Sequence, residues 1–308
     1  MNGNNMDKVI THKIPKLSIM VVTYNQEQYI AKCLDSILQQ EVNFDYEVII
    51  GDDCSTDTTG LILDRYAAKN SCIRVQHHIR NLGHVKNWEY CLNMCHGEYI
   101  AILEGDDYWI DVHKLQRQVD YLDSHPQTVL TITNVKIVWE ENLKNTRSFQ
   151  FESMGEFLRA KENVCSSWYI LSSSSMFRNI FHDFKFPRDV YIADSYLFPF
   201  LLDYTNGLTY AFPEQMTAYR QHNNNFCRQK SVETLISLVK QNMYYERCFP
   251  WAAEACKKTV DTYLEQLVFA TGRNVWKYRL KYVVKHPCKL FSKSFVKRLV
   301  KTIAQSSF

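Results

Sequence analysis

Apolar residues follow two alternating rhythms along the chain. Lys16–Thr23 (KLSIMVVT) is a short continuous apolar run, the pattern of a strand covered on both faces, and it closes on Tyr24-Asn25. Between Gln28 and Gln39 the apolar positions are Tyr29, Ile30, Cys33, Leu34, Ile37 and Leu38, a three-and-four spacing that predicts a core-facing helix. The pair then recurs. Strands are predicted over Tyr46–Gly51, Ile73–Ile79 and Glu98–Leu103, and helices over Thr58–Asn70, Lys86–Met94 and Lys114–Asp123, with Gly97 and Pro126 as stop signals. Four strand–helix alternations predict an α/β fold, a mostly parallel sheet flanked by helices. Such sheets bind ligands beyond the carboxyl ends of their strands, where Tyr24-Asn25, Asp52-Asp53 and Asp106-Asp107 stand.

After Val129 the rhythm changes. Val129–Glu140 reads as a longer strand, Ser172–Phe177 as a Ser-rich apolar stretch and Ala193–Tyr204 as a helix, with two short strands bracketing Pro213. From Ser231 the pattern is helical only. The chain therefore divides into a polar tail over 1–15, a main domain over 16–228 and a helical extension over 229–308.

Charge sharpens the picture of that extension. The 308 residues carry 36 Lys+Arg and 33 Asp+Glu, a net of +3, yet no acidic residue occurs from Gln266 to Phe308. Ten of the basic residues lie there, so the preceding 265 residues have a net charge of −7. Lys289, Lys293, Lys297 and Lys301 recur every fourth position, and Phe291, Phe295, Leu299 and Ile303 do the same two positions on. At about 100° per residue the two sets fall on opposite faces. Residues 287–303 are thus expected to form a basic amphipathic helix lying on an anionic membrane surface, against the plainer reading of a core-packed helix with a solvated Lys face. The phenylalanine stripe argues against nucleic acid. No run approaches the roughly 18–20 apolar residues of a membrane span, and Met1–Pro15 lacks the apolar segment of a secretory signal. The ten cysteines form no C-x-x-C pair and are expected to be reduced, buried and inert. Together these place the protein, as an expectation, in the cytoplasm at the inner face of the cell membrane.

Two motifs carry candidate chemistry. Asp52-Asp53-Cys54-Ser55-Thr56-Asp57 puts adjacent carboxylates at a strand end, where they serve either as a helix cap or as acceptors for a base or ribose. Glu104-Gly105-Asp106-Asp107 sets three carboxylates within four residues. Ionised together they repel, and a divalent cation such as Mg²⁺ or Mn²⁺ relieves this; a solvated acidic turn is the alternative. The phosphate loop G-x-x-x-x-G-K-[ST], the dinucleotide G-x-G-x-x-G after the first strand and the hydrolase G-x-S-x-G are all missing.

The series LSIMVVTYN (17–25), VIIGDDCSTD (48–57), RNLG (80–83), GEYIAILEGDD (97–107) and KLQRQV (114–119) resembles glycosyltransferase family 2, over about residues 16–125. The resemblance implies the GT-A fold, with a nucleotide-sugar half at 16–125 and an acceptor half at 126–228. It also implies a nucleotide-sugar donor, most commonly a UDP-sugar, a divalent metal (Mn²⁺ or Mg²⁺) and inversion at the anomeric carbon. By position Tyr24 and Asp53 would hold the base, with Asn25 and Asp52 beside them at the nucleoside end. Asp107 would bind the metal, Asp106 would assist at the ribose or metal, and Glu104 holds the motif's first place, often an Asp. Lys86 and Asn87 lie where donor-contacting polar residues are frequent. The family's Glu-Asp pair ahead of a helix is here Ala193-Asp194, which leaves Asp194 as the base. Tyr219-Arg220-Gln221-His222 resembles a late Y-R-x-H segment whose His222 would approach the metal or diphosphate, against the plainer reading of a surface or core histidine, and Trp168 either stacks on a sugar face or packs in the core. The activity implied is transfer of a hexosyl or N-acetylhexosaminyl unit to a glycan or lipid-linked acceptor, in cell-surface polysaccharide or lipopolysaccharide synthesis. Ala193 motivates the alternative, a GT-A-fold membrane-surface scaffold that has lost catalysis.

Overall fold

The computed structural model describes residues 14–139, 148–149, 157–159, 170–222, 231–270 and 275–305. The alternation extends from β1 (Leu17–Thr23), α1 (Ile30–Leu38), β2 (Tyr46–Asp52), α2 (Thr59–Ala67), β3 (Ile73–His77) and α3 (His84–Met94) to β4 (Tyr99–Glu104). A short β5 (Tyr108–Trp109) precedes α4 (Lys114–Ser124). There follow β6 (Thr128–Trp139), β7 (Ser148–Phe149), β8 (Phe157–Arg159), β9 (Met176–Arg178), α5 (Ala193–Thr205) and β10 (Leu208–Gln221). The last stretch is helical: α6 (Val232–Cys248), α7 (Ala253–Val268), α8 (Val275–Lys285) and α9 (Lys293–Gln305).

The described strands form one sheet in the order β3-β2-β1-β4-β9-β6-β10-β5, with β7 beside β6 and β8 beside β10. β1 to β4 pair in parallel, as expected for apolar runs linked by helices. Beyond β4 the sheet is mixed. β9 runs antiparallel to both β4 and β6, while β10 runs parallel to β6 and antiparallel to β5.

Side chains alternate across this sheet and feed two cores. Leu17, Ile19 and Val21 of β1 join Ile30, Leu34 and Ile37 of α1 and Leu115 and Leu122 of α4 on one face. Met20 and Val22 join Trp88 and Leu92 of α3 and Leu197 and Leu201 of α5 on the other. Each fully buried aliphatic side chain contributes on the order of 1.5–3 kcal/mol. A third cluster lies among the last helices and includes Leu235, Val239, Leu264, Tyr282 and Phe295. α6 takes part in two of them, since its Tyr245 packs in the core with Leu197. The boundary placed near Arg228 lies outside the described residues.

Two expectations are corrected. The strands bracketing Pro213 are one strand, β10, whose register against β6 shifts between Phe212 and Gln215 and again before Thr217, because a proline cannot donate to the ladder. The expected helix over 287–303 is broken. Pro287–Phe291 forms a 3₁₀ turn, Ser292 is extended, and α9 starts at Lys293. Phe295 is buried and Leu299 packs against the same cluster, so the stripe read as membrane-facing is partly spent on the protein's own core. Cys33, Cys91, Cys95 and Cys256 are buried as expected, whereas Cys288 is exposed.

Gly97 lies where β4 enters between its neighbours, and a Cβ there would collide with the backbone of Leu17 and Ser18. A neighbouring strand yields less readily than a side chain, so Gly97→Ala is expected to destabilise the fold by about 1–3 kcal/mol. Denaturant unfolding measures this as a lowered midpoint.

Candidate active site

Strand register assembles the site. Thr23 pairs with Asp52 and Val22 with Glu104, so the turns after β1, β2 and β4 open at one edge of the sheet. Pairing of β5 with Thr217 and Ala218 carries Arg220 and His222 to the same edge. The 3₁₀ turn Ser172–Ser174 arrives from the other side, packed on β4 just before β9.

At this edge Glu104, Asp106 and Asp107 converge, with one carboxylate oxygen from each within 4.8 Å of the others. Asp106 and Asp107 are buried. Asp107 accepts from Ser173 Oγ at 2.5 Å and from the Arg220 amide at 2.9 Å, and Glu104 accepts from Ser172 Oγ at 2.8 Å. The Asp106 backbone carbonyl accepts from Arg220 Nε at 2.7 Å. Burial, then the charges of Asp106 and Asp194, push Glu104 up to about 8 against the pull of Ser172. Burial and the charges of Asp106 and Glu104 hold Asp107 well above the carboxylate range. Neighbouring carboxylates that resist ionising together supply the oxygen donors a hard divalent cation takes, so the set fits Mg²⁺ or Mn²⁺. His222, expected as a ligand, meets this group through Asp106: its Nε2 lies 2.9 Å from Asp106 Oδ2, with its ring centroid 4.8 Å from that of Tyr29. That is the position of a residue orienting a carboxylate. Gly105 leaves room for the side chains of Gln26, Ile30 and Thr23, which a Cβ there would displace.

The two aspartates after β2 divide their work. Asp53 accepts the amides of Leu82 and Gly83, at 2.6 and 2.9 Å, and so holds the RNLG turn against the end of β2. Asp52 points the other way. Its oxygens take the Ser55 amide at 3.1 Å and His77 Nδ1 at 2.9 Å, an anchor between β2 and β3. Asn25 adopts a left-handed conformation (φ 52°), and its side-chain oxygen accepts the Thr56 amide at 2.7 Å, tying the first turn to the second. Tyr24 is left 46% exposed at the rim, a surface on which a base can stack. Asn87 is buried and donates to the Gly51 carbonyl, so it supports β2. Lys86 is exposed and paired with Glu89 at 2.7 Å, and with Arg80, Asn81 and Tyr90 it lines a cavity of about 630 Å³. Trp168 lies outside the described residues.

Asp194 is buried in the first turn of α5, where its Oδ1 accepts the Ser195 amide at 2.6 Å. Burial raises it to about 6 despite that bond, and its charge is felt at Glu104. The residues just before it are fixed by Gln241 of α6. The buried Gln241 side chain accepts the amides of Tyr191 and Ile192, at 2.6 and 2.8 Å, and donates to Ser195 Oγ at 2.8 Å.

The family model for glycosyl transferase family 2 matches residues 18–183. The chain belongs to glycosyltransferase family 2. An uncharacterized protein of Mycobacterium tuberculosis is 35% identical over 211 residues, 67% of this chain and 59% of that protein. The poly(ribitol-phosphate) beta-N-acetylglucosaminyltransferase TarS of Staphylococcus aureus is 29% identical over 187 residues, 59% of this chain and 31% of TarS. The chain thus spans less than two thirds of the length of these relatives. Among solved structures, TarS 1-349 of S. aureus in complex with UDP-GlcNAc superposes with a TM-score of 0.62 at 19% identity, over 94% of this chain and 80% of that one. The mannosyltransferase PcManGT of Pyrobaculum calidifontis, with GDP-Man and Mn2+, gives 0.53 at 16% identity, over 96% and 88%. The fold is GT-A, with helices added at the C-terminal end.

In this family member, Ser172, Ser173, Arg220 and Gln241 were not read as site residues from the sequence alone. The serines stand out only as part of a Ser-rich run, and Gln241 is one polar residue within a helix. Replacing it strands the buried Ile192 amide, at a cost of about 1–3 kcal/mol, and removes the acceptor of the part-buried Tyr191 amide. Gln241→Leu is therefore expected to lower stability by a few kcal/mol and to reduce turnover, with donor affinity nearly unchanged; unfolding curves and a kcat-against-KM comparison read the two effects.

Proposed function

We propose that the chain is a metal-dependent inverting glycosyltransferase, moving a hexosyl or N-acetylhexosaminyl unit from a nucleotide-sugar, most simply a UDP-sugar, to a hydroxyl of a glycan or lipid-linked acceptor in cell-surface polysaccharide or lipopolysaccharide synthesis. The observation that carries this is the cluster of Glu104, Asp106 and Asp107 beside a buried Asp194 raised to about 6. Family membership and the UDP-GlcNAc and GDP-Man complexes of the structural neighbours support the donor class.

In this reading Tyr24 and the turn held by Asp53 face the base, while Asp106 and Asp107, with Glu104, hold the cation. The bound cation would offset negative charge on the donor diphosphate. Arg220 adds a positive charge at the same edge, its guanidinium 4.8 Å from the Tyr29 ring centroid. Asp194, ionised above about pH 6, accepts the acceptor's hydroxyl proton as its oxygen forms the new bond at the anomeric carbon. The nucleotide leaves from the opposite face, which inverts the configuration. Ala193, where the family often has a second acid, is fully buried. One carboxylate suffices for one proton transfer.

Asp107→Ala is expected to abolish Mn²⁺- or Mg²⁺-dependent turnover across a panel of nucleotide-sugars. Asp194→Asn should slow transfer by roughly 10²–10⁴-fold while leaving thermal-shift binding of the donor in place. In the parent enzyme kcat/KM should fall as pH drops through about 6, because the base becomes protonated. Glycan assembly in cells left unchanged by Asp194→Asn, with the C-terminal tail still required, would favour the scaffold reading instead.

A further inference from the structure

The last helices carry a surface that the transfer reaction does not use. α8 already has a buried side, formed by Val275 and Tyr282, the latter packed with Leu235, Leu264 and Phe295. On its outer side Trp276, Leu280 and Val284 recur every fourth residue and are 60%, 57% and 71% exposed. A four-residue step turns the helix by only about 40°, so the three form one apolar stripe. The 3₁₀ turn that follows adds Leu290 and Phe291, the latter 88% exposed. A helix apolar on both sides is ordinarily covered on both.

The surroundings of the stripe select the covering partner. Lys277, Lys281 and Lys285 follow one residue behind it and form a parallel basic row. No acidic residue occurs from Gln266 to the end of the sequence. The acids facing this row come from α7. Asp261 pairs with Lys285 at 2.6 Å and lies 3.5 Å from His286, and Glu265 lies 3.7 Å from Lys289. Lys277, Lys281, Lys293 and Lys297 are exposed and have no ion pair among the described residues. A second copy docked through the same face would oppose like charges, and a polyanion without an apolar layer would leave the tryptophan and leucine uncovered.

We propose that this face seats on an anionic lipid bilayer, with Trp276, Leu280, Val284 and Phe291 entering the interface and the lysines meeting headgroup phosphates. Of the stripe expected from the sequence the seat keeps Phe291 but not Phe295 or Leu299, because Phe295 is buried and Leu299 packs beside it. It does not depend on the transfer reaction.

The test is flotation of the full chain with phosphatidylcholine vesicles, with and without phosphatidylglycerol. The parent protein should float with the phosphatidylglycerol vesicles and be released by high salt. The Trp276→Ser/Leu280→Ser and Lys277→Glu/Lys281→Glu variants should each bind at least about tenfold more weakly, with circular dichroism and donor hydrolysis unchanged. Absence of parent binding, or full binding by the apolar double variant, overturns the proposal. So does a concentration-dependent dimer in lipid-free size-exclusion runs that the same variants disperse, which assigns the face to a second copy.

Discussion

Three carboxylates crowded at the end of β4 set the terms for much of this structure. Buried anions side by side are costly unless donors and positive charge surround them, and an unpaired buried charge is worth several kcal/mol against the fold. The protein meets the demand from far along the chain. Ser172 and Ser173 supply hydroxyls, Arg220 an amide and a guanidinium, and His222 a ring nitrogen. Apolar burial explains why β9 and β10 join the sheet, but polar satisfaction explains why these particular residues end at this edge. The same crowding that makes these carboxylates resist ionising together makes them receptive to a cation.

The parallel half was legible because its strands are buried on both faces and read as plain apolar runs, and because each helix shows its inward stripe. The strand-end motifs were legible for a related reason, since parallel register brings successive carboxyl ends together whatever the loops do. Other features depend on directions that a sequence does not display. Asp52 and Asp53 are chemically alike, yet one turns to His77 and the other to Leu82 and Gly83. Pro213 suggested two strands, whereas the ladder absorbs it as a register shift. The phenylalanines of the tail read as one helical face, but the break after Phe291 separates them: Phe291 stays exposed while Phe295 packs on Tyr282 and Phe269.

The helical extension therefore has two relations to the rest. Through α8 it presents apolar and basic residues outward. Through α6 it reaches inward, with Tyr245 in the core beneath α5 and Gln241 against the turn before Asp194. If the outer face seats on a membrane, the orientation of the acidic edge relative to that surface follows from α6, which packs both against α8's cluster and in the core beside the sheet. An acceptor carried in the bilayer would then be presented at a fixed height.

The Gln241 amide also bears on modularity. All the carboxylates assigned to chemistry lie before residue 195, which suggests a catalytic unit that could be recombined with other C-terminal segments. It could not be moved so simply. The turn that aims Asp194 borrows its hydrogen bonds from α6, a helix that follows the last strand, so a chimera joined near residue 228 would keep every acid and lose the aim of one. Exchange of parts within this architecture has to carry α6 along with the sheet and α5.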